Sequence, residues 1–234
     1  MSVPKTYGQS DDLLSKDPFV VTKRYLFFKR IFDIVVCLIV LPPSLLMMAL
    51  VALVIKLDSP GPAIFIQDRI GRGGKSYRMY KFRSMRFDYA DQADREFMRS
   101  YVSGNTDQKQ NSHDDEPSFK PNHRASITRV GRILRKTSLD ETPQLFNVLK
   151  GEMSLVGPRP NVPWEVEAYR WWHTERMEVV PGITGLAQVR GRSGLQFDTL
   201  VRYDIEYVRK RSMALDLKIL WWTILTVFSG KGAG

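Results

Sequence analysis

Residues 31–57, "IFDIVVCLIVLPPSLLMMALVALVIKL", form an apolar run with Pro42-Pro43 near its middle. The run is long enough to cross a bilayer, which takes about 20 residues. Two adjacent prolines remove two amide donors, so a helix is expected to bend sharply or break there. Both flanks are basic: Lys23, Arg24, Lys29 and Arg30 precede the run, and Lys56, Arg69, Arg72 and Lys75 follow it. Basic residues collect on the cytoplasmic side of a membrane, so two basic flanks are satisfied most simply when both ends stay there. The segment then dips into one leaflet, turns at Pro42-Pro43 and returns, with Ser44 placed to satisfy carbonyls freed at the break. Asp33, costly in lipid, follows Arg30 by three residues and is expected to pair with it near the interface. A kinked spanning helix and a buried core helix are the alternatives.

Two other stretches have interfacial character. Phe19 to Arg30 mixes aromatics with bases, and Leu217 to Phe228 is too short to span but carries Trp221-Trp222. Either also suits the core of a soluble domain. Residues 1–18 are polar and lack the basic start and early apolar stretch of a signal peptide, which suggests a loose tail. The sequence thus divides into this tail, an interfacial and membrane segment at 19–57, and a catalytic-sized remainder at 58–234.

The formal charge of +10 over 234 residues implies an anionic partner: nucleic acid, an acidic membrane or a phosphorylated substrate. One cysteine, Cys37, excludes an intrachain disulfide. The histidines at 113, 123 and 173 have no metal-ligand spacing, so any metal would be a hard ion held by carboxylates.

After the turn cluster Asp58 to Pro62, apolar alternation on both sides of Gly71-Arg72-Gly73-Gly74 predicts a β-hairpin. "GGKS" is not a Walker loop, because position 69 is Arg where that pattern needs Gly. Lys81 and Arg83, two apart, are expected on one strand face, able to grip a phosphate or simply to be solvated. Residues 88–103 are charged and predicted helical, and 104–125 predicted to be a loop. Ile127 to Lys136, 162–180 and Phe197 to Arg211 carry helical patterns. "PGITGLAQVRGR" suggests a glycine-punctuated loop and strand. The soluble part is therefore α+β, helices with a few short strands around one core.

"RKTSLDETPQLFNVLKGEMSLVGPRP" (Arg135 to Pro160) carries adjacent acids, Asp140 and Glu141. Ser138 with Glu141 fits a capping box, but that helix would bury Pro143 in its second turn. The better parse makes Thr142 the N-cap, Pro143 the first helical residue and Gly151 the stop. Both acids then lie in extended backbone just before a helix N-terminus. A helix N-terminus flanked by Arg135 and Lys136 favours a bound phosphate. An Asp beside a phosphate can hold Mg²⁺ or attack phosphorus. Arg159, framed by Pro158 and Pro160, offers a planar fork to phosphate oxygens. Acids that merely cap a helix beside a structural turn fit the stretch equally well.

The motifs "KRIFD", "SPGPAIFIQDRIGRGGKSYRMYKFRSM", "ITRVGRILRKTSLDETPQLFNVLKGEMSLVGPRP", "PGITGLAQVRGR" and "LDLKIL" occur in the order seen in the bacterial sugar transferases. From Lys29 onward the chain resembles their monotopic, short-form phosphoglycosyl transferases. The resemblance implies transfer of a sugar 1-phosphate from a UDP-sugar to polyprenyl phosphate, with release of UMP. It implies a ping-pong route with Mg²⁺, through a phosphosugar held covalently on Asp140, which is also a metal ligand. Glu141 would orient the site or assist proton transfer. Lys81 and Arg135 would hold phosphate, and Pro158-Arg159-Pro160 would help form the nucleotide-sugar site. The implied setting is the bacterial inner membrane, with the active site facing the cytoplasm. Many relatives have Ser-Pro at the membrane break; Pro42-Pro43-Ser44 keeps the break but not that hydroxyl's place. The overall likeness suggests a hexose and leaves oligomeric state open, a homodimer included.

The competing functions are a transferase of the sugar alone, which would release UDP, and a non-catalytic membrane-surface scaffold. A glycosidase is disfavoured because neighbouring carboxylates are poorly placed to flank a glycosidic bond. Nucleic acid is not an expected partner, since the bases track the membrane flanks and the acid pair and no such fold motif occurs.

Overall fold

A computed structural model describes residues 22–86, 96, 99–102, 126–191 and 195–229. The expected tail at 1–18, most of the expected helix and loop at 88–125, and the last five residues lie outside the described residues. The order of elements is α1 (Lys23–Asp58), a hairpin of β1 (Ile64–Ile70) and β2 (Ser76–Phe82), α2 (Arg129–Thr137), α3 (Gln144–Lys150) and β3 (Ser154–Val156). Then follow α4 (Pro163–Val166), β4 (Gly182–Thr184), α5 (Leu186–Arg190), α6 (Phe197–Lys210) and α7 (Met213–Ser229). Short 3-10 turns occupy Arg72–Gly74, Leu139–Glu141 and Trp171–Glu178. This is the α+β mixture expected, with one long apolar helix that suits a membrane-associated protein.

Thr22 caps α1, its hydroxyl accepting from the Tyr25 amide, and the helix runs for 36 residues through Pro42 and Pro43. The helix is therefore not broken at the prolines. Pro42 and Pro43 would leave the Leu38 and Ile39 carbonyls without their amide partners. The Ser44 hydroxyl instead donates to Val40, 2.7 Å away, a back-bond of the kind that bends helices. The buried residues of α1 are Asp33, Cys37, Ser44, Met48 and Ile55, spaced 4, 7, 4 and 7 apart, so a single stripe faces the rest of the protein. Cys37 packs with Val148 and Leu155, whereas Met48 and Ile55 pack with Ala63, Phe82 and Leu134. Both halves of the helix thus rest on the same body. Elsewhere α1 exposes large apolar side chains from Leu26 to Leu57, and only 17% of its most apolar window is buried. A soluble core helix does not leave such a surface bare.

Polar contacts fix the ends of α1. Arg30 donates to the Val148 and Leu149 carbonyls at 2.5 and 2.7 Å, closing the C-terminus of α3. That leaves Asp33 to Lys29, at 3.4 Å, and to the Leu155 amide rather than to Arg30 as expected. Lys29 and Tyr25 also reach Asp216 at the start of α7, and Tyr207 of α6 joins that carboxylate at 2.7 Å. Buried acids of this kind are tolerated because each is paired and hydrogen-bonded.

β1 and β2 are antiparallel, with Phe65 opposite Lys81 and Arg69 opposite Tyr77. β3 and β4 are parallel, Ser154 opposite Gly182 and Val156 opposite Thr184. The parallel pair demands unusually close backbones. A Cβ on Gly182 would sit 2.1 Å from the Gly157 nitrogen, so no side chain fits there. β3 carries no alternating pattern, since all three of its residues are buried, which is why the sequence does not reveal it. The segment at 162–180 is not one helix but a single α-turn and a 3-10 stretch. The glycine-rich motif gives β4 and then α5, a helix where only loop and strand are expected.

Candidate active site

Asp140 and Glu141 lie in the 3-10 turn between α2 and α3, not in extended backbone. Ser138 ends α2 in the left-handed region (φ 57°), an uncommon position for a residue other than glycine, and starts the turn. Thr142 does not act as an N-cap. It has helical dihedrals, and its hydroxyl donates to the Leu139 carbonyl, locking the turn from within. Pro143 precedes the first α-helical residue and Gly151, with φ 81°, closes α3 as expected.

The turn delivers Asp140 to the hairpin. Its Oδ2 lies 2.7 Å from Nζ of Lys81 at the end of β2, and Oε1 of Glu141 lies 3.7 Å from the same nitrogen. The Asp140 side chain is 4% exposed, against 37% for Glu141. One carboxylate is thus set at the floor of the site and its neighbour at the mouth. Two couplings hold the hairpin to this turn. Asn147, fully buried on α3, accepts from the Tyr80 amide (3.0 Å) and donates to the Arg78 carbonyl (2.7 Å) and to Glu152 (2.7 Å). On the other side, α2 meets the end of β2 at Gly131, where a Cβ would fall 2.0 Å from the Ser84 oxygen.

The four expected phosphate-binding bases take four different places. Lys81 joins the acid pair. Arg83 does not share its surface: it follows β2, is buried, and donates to the Ser59 and Pro60 carbonyls at 2.7 Å each, beside the end of α1. A guanidinium so engaged caps a helix. Arg135 is in the last turn of α2, with Nη2 3.7 Å from the Met85 sulfur. Arg159 is exposed between buried Pro158 and Pro160. Its frame is rigid, because the Pro158 carbonyl accepts from the Gly182 amide at 2.9 Å and the Pro160 carbonyl from Arg69 at 3.0 Å.

Arg69 was not expected here. It stands on the same hairpin face as Lys81, four residues along by the cross-strand register, or about 14 Å. Burial, and next the positive charge of Arg159, push its guanidinium down to about 10. Two guanidiniums close enough to repel are both stabilised by a nearby anion. The hairpin register, once the Gly71–Gly74 turn is placed, is the sequence signal that identifies Arg69.

A buried polar layer backs the Arg159 segment. Tyr169 donates to Asn161 (2.8 Å) and lies 2.9 Å from Glu165; Arg176 donates to Tyr169 (2.9 Å) and pairs with Asp204 of α6. Beside it, His173 is fully buried, with Nδ1 accepting from the Arg170 amide at 3.2 Å and Nε2 3.3 Å from Asp198. Burial lowers the His173 pKa, against the opposing pull of Asp198.

Among the described residues no cluster of three or more acid, His or Cys side chains could cage a metal. Mg²⁺ needs less from a protein, commonly one or two carboxylates with water and substrate phosphates. Asp140 and Glu141 fit that donor set.

A family model described as bacterial sugar transferase matches residues 24–230. The chain belongs to this family. It is 42% identical over 175 residues to a galactosyl transferase, CpsE, of Streptococcus agalactiae, covering 74% of this chain and 36% of that protein. It is 41% identical over 207 residues to the undecaprenyl-phosphate galactose phosphotransferase of Salmonella typhimurium, covering 88% and 42%. It is 38% identical over 214 residues to the UDP-glucose:undecaprenyl-phosphate glucose-1-phosphate transferase of Escherichia coli, covering 88% and 41%. The family member described here therefore spans less than half the length of these curated relatives.

Proposed function

We propose that this bacterial sugar transferase moves a sugar 1-phosphate from a UDP-sugar to polyprenyl phosphate. The observation that carries the reading is the buried Asp140 carboxylate on Lys81, with Glu141 beside it and Arg69 on the same hairpin face. A carboxylate oxygen of Asp140 attacks the phosphorus that bears the sugar. The bond from that phosphorus to the bridging oxygen breaks, and UMP leaves. Polyprenyl phosphate oxygen then attacks the same phosphorus, the acyl-phosphate bond breaks, and the Asp140 carboxylate returns. Glu141, at the mouth, is placed to take a proton from the acceptor. Lys81, Arg69 and Arg159 lower the repulsion between two polyanions, while Arg135, from the last turn of α2, adds positive charge behind the turn. Mg²⁺, held by Asp140 and Glu141 with substrate oxygens, would supply further charge neutralisation at the diphosphate. The names of the Salmonella and Escherichia relatives support this donor and acceptor class and a hexose cargo.

The acceptor is a lipid, and the surface of α1 suits it. Because both halves of α1 rest on one body, a crossing would strip one half of its packing. The helix therefore lies in one leaflet with both ends on the cytoplasmic side of the inner membrane, its bare apolar face toward lipid.

The deciding experiment supplies purified protein with UDP-sugars, Mg²⁺ and polyprenyl phosphate, and identifies the nucleotide released. UMP is expected. UDP would replace this reading with transfer of the sugar alone, and no nucleotide from any donor would leave a scaffold.

A further inference from the structure

α5 and α7 enclose a groove of about 290 Å³ lined by Val189, Arg190, Trp222, Leu225 and Thr226. Arg190 lines the groove and Lys218 lies against its Trp222 ring; both are held differently from other surface cations. Elsewhere Arg209 is held by Glu175 at 2.6 Å, Lys210 by Glu206 at 3.0 Å and Arg170 by Asp198 at 3.1 Å. Among the described residues, no carboxylate lies within 4 Å of Arg190 or Lys218. Both rest on aromatic rings instead. The Arg190 guanidinium is 5.6 Å from the Trp222 centroid and 5.8 Å from that of Tyr203, and the Lys218 ammonium is 4.9 Å from Trp222. An aromatic ring steadies a cation from one side and leaves its other side able to bind an anion.

The setting says which anion. The same helix exposes Leu217, Trp221, Ile224 and Leu225, so the groove opens beside a surface suited to the headgroup level of a bilayer. A ligand there meets a basic rim and apolar walls together. The groove is built from α5 and α7, whereas Asp140, Glu141 and Lys81 belong to the turn before α3 and to β2, so none of the acid-pair residues lines it.

From these features we infer that the α5–α7 groove binds the headgroup of an anionic phospholipid, with Arg190 and Lys218 on its phosphate and Trp222 beneath them. The site goes beyond the proposed transferase reaction and rests only on α7 lying at the membrane. It holds the C-terminal helix to a bilayer lipid while the active site remains available to the acceptor. Arg190 presents a two-pronged donor to the phosphate, and Lys218 adds a point charge.

The test uses the full chain purified in nonionic detergent and follows thermal unfolding as phosphatidylglycerol, phosphatidylcholine or polyprenyl phosphate is added. Phosphatidylglycerol is expected to raise the midpoint saturably, and phosphatidylcholine to leave it unchanged. Arg190→Gln with Lys218→Gln should weaken the apparent affinity by about tenfold or more. Arg209→Gln with Lys210→Gln, the same change in net charge at paired sites, should not. If the double variant is unstable without lipid, Lys218→Gln alone, an exposed change, carries the comparison. An unchanged response in the groove variants, or an equal loss in the control, would overturn the assignment. So would protection by polyprenyl phosphate alone, lost with Arg190, which would make the groove an acceptor site. No arm reads turnover, so failure of the transferase reading would leave this result interpretable.

Discussion

Asp140 depends on Lys81 in two separable ways, as charge and as position. On the proposed covalent route Asp140→Asn keeps shape and loses the attacking carboxylate, so turnover should fall by roughly 10⁴-fold or more, measured as UMP release. Retention of near-normal rate would remove the covalent route. Asn147 acts only on position. Asn147→Ala leaves the Tyr80 amide and Arg78 carbonyl without their partner, which should cost about 2–3 kcal/mol in chemical denaturation. Turnover should fall more than donor affinity, because Lys81 follows Tyr80 directly. His173 supplies a pH signature. Its folded pKa is lowered by burial, so below about 6.5 the unfolded chain binds the proton and the folded chain resists it. Stability from this residue is therefore present above that pH and is lost as pH falls through it. The stability difference between pH 7.5 and pH 5.5 should shrink in His173→Gln, as followed by denaturant midpoints.

At the scale of elements, α1 separates two ideas that the sequence joins, a break and a return. Its helix continues through Pro42-Pro43, yet its buried stripe ties residues on both sides of the prolines to one body. Cysteines introduced at Asp58 or Ser59, in a Cys37→Ser background, should label only from the cytoplasmic side. Periplasmic labelling of the native-length helix would end the one-leaflet arrangement. The hairpin, α6 and the Gly151 stop are legible in the sequence because periodicity and turn chemistry are local. The acid pair is legible from its flanking bases and prolines. The 3-10 turn is not: Thr142 locks it locally, but the partner it meets is long-range, since Lys81 arrives from 59 residues earlier to meet Asp140, and Asn147 fastens the strand behind it. Arg83 shows the converse error. Alternation gives its parity, but the strand ends at Phe82, and the open carbonyls at the end of α1 claim the guanidinium.

Across the whole molecule, the bare apolar faces of α1 and α7 and the +10 charge suit a membrane-associated body. The single stripe from Asp33 to Ile55 adds a constraint of another kind. With α1 in one leaflet as proposed, packing of both its halves on the body resists pistoning and hinging, so the height of Asp140 above the leaflet would be set once, at folding. On the proposed reaction the catalyst would work as a two-dimensional collector, to which acceptors come by lateral diffusion while the soluble donor falls in from above. At saturating UDP-sugar, the rate in mixed micelles should follow the mole fraction of polyprenyl phosphate in the micelle and ignore dilution of the whole solution. On that reading encounters are counted per unit area, and crowding the membrane with acceptor would speed the enzyme where enlarging the surrounding volume would do nothing.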